Sequence, residues 1–293
     1  MRTKWVRAPR GLVKGTSFIP GSVCWVDVSS TDPAGSREFY SGLFGWTYRI
    51  DRHPARDHYT TALSGGRVVA GLAGVAVQAG QPVSWTLYLA SADITHTATA
   101  FTQRGARMLY GPVEVPGQGS VLIGADPTGA VIGFWQPATR WPFHTLSPGA
   151  LYWAELNTWN GTRADKFFAH LFDYRQQQLG DGRWADYTTW SRGEQMMLGR
   201  LQMNTDWATP GIAAHWMLHF TVNPQAGTDA TVYRVLKLGG RVDIDPYDTE
   251  WGRIARVTDP WGASFALIDP TMRIVPAGDL AAGSARVDDP YDD

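Results

Sequence analysis

Apolar and polar positions alternate along two short segments near the start of the chain, Val23–Val28 and Val83–Ala90. Side chains alternate across a strand, so each segment predicts a β-strand with one buried face. After the first, the period changes. Asp32-Pro33 is a helix start, with Asp as N-cap and Pro at the first helical position. Phe39, Tyr40, Leu43 and Phe44 then recur at helical spacing, and Gly45 supplies the stop. Short β segments bounded by Gly and Asp-Pro turns follow: Tyr59–Leu63 and Val68–Val77, then Ser120–Gly124 and Val131–Gln136. The unit predicted is β-α-β-β-β.

The pattern recurs. Cys24-Trp25-Val26-Asp27-Val28 is matched by Tyr152-Trp153-Ala154-Glu155-Leu156 at an offset of 128. The same offset carries Phe39-Tyr40 onto Phe167-Phe168, Leu43-Phe44 onto Leu171-Phe172, and Trp46 onto Tyr174. Trp85-Thr86-Leu87-Tyr88 matches Trp216-Met217-Leu218-His219 at 131, and Asp126-Pro-Thr-Gly-Ala matches Asp259-Pro-Trp-Gly-Ala at 133. Shared offsets across separated blocks mark a tandem duplication with small loop insertions. The expected organisation is a basic arm (1–20), a first domain (21–137), a linker (138–148) with two prolines and no hydrophobic period, a second domain (149–270) and a tail (271–293). Four β-α-β-β-β units in two domains make the fold class α+β.

Composition narrows the partners. The 293 residues carry a net charge of −1, without the basic excess that phosphate neutralisation needs, so nucleic acid is not an expected partner. Cys24 is the only cysteine, which excludes an intrachain disulfide and a thiolate metal cage. Residues 1–20 hold Arg2, Lys4, Arg7, Arg10 and Lys14 and no acid, but no apolar core of a signal peptide. No apolar run reaches the ~18 residues of a membrane span. The expectation is a cytoplasmic protein that has no membrane partner and takes a small-molecule ligand. The 14 tryptophans supply rigid surface for cores and for pockets that take flat ligands.

The opening string from Trp25 through Asp32-Pro33 to Phe39-Tyr40, Leu43-Phe44-Gly45-Trp46, and the closing strings Asp126–Phe134 and Asp259–Leu267, resemble the vicinal oxygen chelate superfamily. The resemblance covers about residues 21–137 and 149–270. It implies two tandem glyoxalase-like domains, each a curved, incompletely closed sheet around a cavity with helices outside. It also implies a menu of functions: glyoxalases, isomerases, ring-cleaving dioxygenases, fosfomycin-modifying enzymes and metal-free antibiotic-binding proteins. Fold does not choose among these. The family's metal-ligand places fall on Trp25, Thr86 and Gly133 in the first copy and on Trp153, Met217 and Ala266 in the second. None of these binds a divalent cation. A two-residue slip keeps the face and substitutes Asp27 with Tyr88, and Glu155 with His219. Glu155 and His219 are ligand types, yet the closing strand offers no third acid. No metal and no cofactor is therefore expected.

With Val26 and Val28 toward the helices, alternation turns Trp25, Asp27 and Ser29 to the cavity, along with Thr86, Tyr88, Trp153, Glu155, Asn157, Met217, His219 and Thr221. His215 and His219 lie about 13 Å apart on a strand, too far for one metal. His53 and His58 read as solvated loop residues. Cys24 should point away from the cavity as an inert thiol. There is no G-x-S-x-G elbow or P-loop, and Gly117-Gln118-Gly119 reads as a hairpin turn. The candidate catalytic groups are the acid/base couples Glu155/His219 and Asp27/Tyr88. The candidate substrate-binding groups are Trp25, Trp153, Thr86, Met217 and Asn157. Three functions remain open. The first is a metal-independent enzyme of the isomerase or lyase type acting on an aromatic secondary metabolite. The others are a sequestering antibiotic-binding (resistance) protein and a metal-dependent glyoxalase or dioxygenase. Carrying both copies in one chain makes a monomer feasible; a homodimer is the other option.

Overall fold

The computed structural model describes residues 18–51, 59–74, 83–179, 185–206 and 208–274. Most of the basic arm and of the tail, His53, His58 and the end of the Val68–Val77 segment lie outside them. No helix among the described residues is long and apolar enough to cross a membrane.

Four β-α-β-β-β modules follow one another. The first is β1 (Val23–Ser30), α1 (Pro33–Phe44), β2 (Thr47–Ile50), β3 (Thr60–Ser64) and β4 (Arg67–Gly74). The second is β5 (Trp85–Ala90), α2 (Ile94–Gln103), β6 (Arg107–Val115), β7 (Gly119–Ala125) and β8 (Val131–Pro137). The third is β9 (Leu151–Thr158), α3 (Gly161–Phe172), β10 (Arg175–Gln178), β11 (Tyr187–Arg192) and β12 (Gln195–Gln202). The fourth is β13 (His215–Thr221), α4 (Gly227–Lys237), β14 (Arg241–Thr249), β15 (Gly252–Thr258) and β16 (Ser264–Asp269). Modules pair through their first strands. The sheet orders are β2-β3-β4-β1-β5-β8-β7-β6 and β10-β11-β12-β9-β13-β16-β15-β14. The predicted α+β architecture of two tandem glyoxalase-like domains is the one observed.

Local signals set the elements. Asp32 caps α1 by accepting from Gly35 N, and Gly45 ends it in the left-handed region at φ 71°. The Asp-Pro turns work alike in both copies. Asp126 Oδ1 accepts from the backbone of Thr128 and Ala130. Asp259 Oδ1 accepts from Trp261, Gly262 and Ala263.

The helices cover the convex face of each sheet, and the two convex faces then meet. One continuous core runs through both domains. In it Trp85 lies 4.8 Å from Phe220, Phe101 5.5 Å from Phe167, and Phe39 6.3 Å from Trp261. The helices thus lie outside each cavity and pack along one side against the helices of the other domain, α1 against α4 and α2 against α3, while Tyr233 and Leu236 on α4 stay exposed. Tyr40 on α1 crosses the junction and donates to Asp259 Oδ2 at 2.9 Å. Its repeat partner, Phe168, has no hydroxyl, and Asp126 Oδ2 is buried without a partner. Tyr40→Phe should therefore lower stability by about 1–2 kcal/mol, the worth of a buried hydrogen bond to a charged acceptor. Urea unfolding with an unchanged slope would show it; an unshifted midpoint would contradict it.

Candidate active site

The outward concave faces carry the polar side chains that alternation places there. On the first, Trp25 Nε1 donates to the Tyr59 hydroxyl at 2.7 Å, and that hydroxyl donates to Asp27 Oδ2 at 2.8 Å. Tyr88 donates to the same oxygen at 3.2 Å. Glycines make room for this network. A β-carbon at Gly71, the register partner of Asp27, would overlap the Tyr59 hydroxyl, and one at Gly133, the partner of Tyr88, would overlap the Tyr88 ring. Burial pushes the Asp27 carboxyl up to about 6, and the two tyrosine hydrogen bonds offset only part of that.

The segment expected to be a plain linker crosses one end of this face. Trp141 stands edge-on to Trp25 at 5.3 Å and lies 4.9 Å from Trp135, while Phe143 is 5.7 Å from Trp25. His144 N donates to Val68 O at 2.9 Å, stitching the segment to β4.

The second face repeats the frame with different chemistry. Trp153 Nε1 donates to the Tyr187 hydroxyl at 2.8 Å. Gly199 sits opposite Glu155, clearing space for Tyr187. Glu155 Oε1 and His219 Nε2 lie 3.6 Å apart, just outside hydrogen-bond range. Both ring nitrogens of His219 are buried without a partner, as are Asn157 Oδ1, Thr221 Oγ1 and Arg256 Nε. Arg256 faces Ala266 across β15–β16; the same place on β7, opposite Gly133, is Ile123. Burial raises the Glu155 carboxyl, but His219, Tyr187 and Arg256 together outweigh it and hold the group below the ordinary carboxylate value. Desolvation lowers the His215 pKa, which favours the neutral ring; Nδ1 then donates to Ala213 O at 2.9 Å, and Nε2 is left to accept from Asn157 Nδ2 at 3.3 Å.

The other predicted positions fall as follows. Thr86 is the register partner of Asp27 and Met217 that of Glu155, and Met217 is buried with Ile254 and Ile268. Asn157 is buried beside His215. Cys24 is a fully buried thiol whose pKa burial raises, which makes it a poor nucleophile. Strict alternation fails at this point. A bulge falls at Cys24 between Val23 and Trp25, and its twin Tyr152 turns onto the cavity-side cluster of Met217, Ile254 and Ile268.

Two relatives span nearly the whole chain. The anthracycline biosynthesis proteins DauV of Streptomyces sp. (strain C5) and DnrV of Streptomyces peucetius are each 31% identical over 268 residues, 87% of this chain and 95% of theirs. Among solved structures, the Mn(II)-bound glyoxalase from Novosphingobium aromaticivorans superposes with a TM-score of 0.57 at 13% identity, covering 88% of each chain. The 2,2',3-trihydroxybiphenyl 1,2-dioxygenase from Sphingomonas wittichii strain RW1 gives 0.57 at 11% identity, over 85% of this chain and 90% of that one. The chain belongs to the family of DauV and DnrV, and its fold is that of vicinal oxygen chelate proteins. No family model matches it.

That glyoxalase holds a metal, and the donor set here does not suit one. Glu155 and His219 supply two ligands, but Ala266 and Ile268 occupy the facing closing strand, and a guanidinium lies toward the carboxylate. No group of three or more His, Cys, Asp or Glu converges among the described residues.

Alternation missed Tyr59, Tyr187 and Arg256. The tyrosines carry the same offset of 128 as the tryptophans they bind, and so do Gly71 and Gly199, so the repeat held that signal. Arg256 had none.

Asp27 yields a signed expectation. Its folded pKa lies above the unfolded value, so it contributes stability that is full below about pH 4 and lost as pH rises through about 6. Asp27→Asn should flatten the stability profile across that window in pH-dependent urea unfolding; parallel profiles for the two proteins would refute the shift.

Proposed function

We propose that the chain is a metal-independent enzyme that performs acid/base chemistry on a flat, hydrophobic secondary metabolite in its second domain. The observation that carries this is the Glu155–His219 pair, 3.6 Å apart, with both imidazole nitrogens unpartnered. The first domain supplies the contrast: its carboxylate is bound by two tyrosines, and its cavity end is crossed by Trp141 and Phe143. The role of DauV and DnrV in anthracycline biosynthesis supports a fused-ring substrate, as do Trp153, Tyr152 and Tyr187 around the pair.

Held ionised, Glu155 is suited to act as a base. It takes a proton from carbon next to a carbonyl, and the C–H electron pair moves onto the carbonyl oxygen. His219, carrying a proton on Nε2, delivers it to another carbon for isomerisation, or to a departing hydroxyl for dehydration. Such groups typically contribute about 10²–10⁴-fold.

The test uses purified protein and fused-ring polyketide aglycones. Glu155→Gln and His219→Asn should each reduce turnover by about 10²–10⁴-fold while tryptophan quenching by the same compounds persists. Turnover should be insensitive to EDTA. It should decline on acidification only below the ordinary carboxylate range, since Glu155 must be ionised and its pKa is lowered. Unchanged products in both variants, with quenching intact, would instead establish a sequestering protein. Stoichiometric metal required for turnover would overturn the metal-independent mechanism.

A further inference from the structure

A chamber of about 630 Å³ lies between the domains, with His215 and Arg256 in its lining. Val83, Ser84 and Val131 of the first domain face Ile212, Trp216 and Ile244 of the second, and Arg256 is part of the wall. Arg256 therefore belongs to both spaces, since it also acts on the Glu155 carboxylate.

Three properties of the lining point to one kind of occupant. The first is apolar exposure. Val131, Ile212 and Ile244 are large hydrophobic residues about 40% exposed, and they share this chamber. A flat ring system would bury them together. The second is the sign of the unpartnered polar group. Arg256 Nε belongs to a lining residue, is buried, and lacks an acceptor among the described residues. It is a donor, so the complement carries an acceptor oxygen. The third is charge. In the lining Arg241 and Arg256 stand against Asp243 alone. Asp243 is taken by Arg241 at 2.8 Å and also accepts from Thr258. Among the described residues Arg256 has no acid in ion-pair distance. Arg200, the buried arginine of this domain, is bound by Asp165 and Asp186 at 2.6 Å each. Arg256 is only partly buried, but its Nε is out of water and unpaired, and an anionic acceptor would complete it.

We propose that this chamber binds the acidic end of the substrate: a planar, fused-ring compound whose anionic oxygen, carboxylate or phenolate, pairs with Arg256. This deepens the acid/base reading above by naming the substrate class for that site. A ring reaching from Arg256 toward Trp153 would present its acidic C–H to Glu155, and Arg256 becomes a positioning and specificity-determining residue.

The experiment measures binding, by calorimetry and tryptophan quenching, of anthraquinone-2-carboxylate and its neutral carboxamide. 2-Hydroxyanthraquinone, above and below its own ionisation, reads the phenolate. The intact chain should prefer at least one anion over its neutral form by roughly tenfold or more, as expected of a charge-assisted pair. Arg256→Met should reduce that preference to about twofold or less, and Arg256→Lys should keep part of it. Val131→Trp lies in the other domain at a half-open position that tolerates bulk. It should weaken charged and neutral probes alike by roughly fivefold or more. A preference that survives Arg256→Met, or affinities unmoved by Val131→Trp, would overturn the proposal. Its failure is distinguishable from failure of the catalytic reading. Glu155→Gln and His219→Asn bear on turnover and should leave the charge preference in place, whereas Arg256→Met bears on that preference.

Discussion

The structure depends on a shared aromatic core that buries the convex faces of two sheets against each other. Helices that would otherwise only coat their own domain are shared with the other one, and α1 and α3 must be apolar toward both their own sheet and the neighbour. Tyr40, Trp46, Trp85, Phe220 and Phe265 form one contact system spanning the duplication. With the convex sides consumed this way, the concave sides face out. A curved sheet lined by alternate side chains is then the surface left for binding.

Duplication supplies two such surfaces with the same backbone and the same Trp–Tyr–carboxylate frame. A few side chains then separate their electrostatics. Where the first copy has Tyr88 and Ile123, the second has His219 and Arg256. Burial raises both carboxyls, but only the second meets an imidazole and a guanidinium, so Asp27 is pushed up and Glu155 is held down. The linker adds a steric difference by leaning Trp141 and Phe143 against Trp25.

Much of this was legible in the sequence. The repeat offsets, the Asp32-Pro33 start and the alternation around Trp25 and Trp153 revealed the modules, their number and the cavity face, because those signals are local and periodic. The rest was not local. Tyr59 and Tyr187 reach their partners by leaning over a glycine on the neighbouring strand, which depends on register between β3, β4 and β1 and between their twins. The bulge at Cys24 and Tyr152 breaks the two-residue period without a marking glycine or proline. Trp141 and Phe143 lie in a proline-flanked stretch with no period, so their packing is visible only once β8 has brought Trp135 beside them. Arg256 stands in an ordinary strand, and only the unpaired state of its Nε distinguishes it.

The shared helix layer has a consequence for how the two halves are inherited. A half released from the other would present Phe39, Tyr40, Trp46 and Trp85, or Phe167 and Phe220, to water, and both would lose the Tyr40–Asp259 tie. The copies have become obligate lodgers of one another, free to drift on their outer faces but not to part company. A cut between them would leave two fragments that regain solubility by finding each other again.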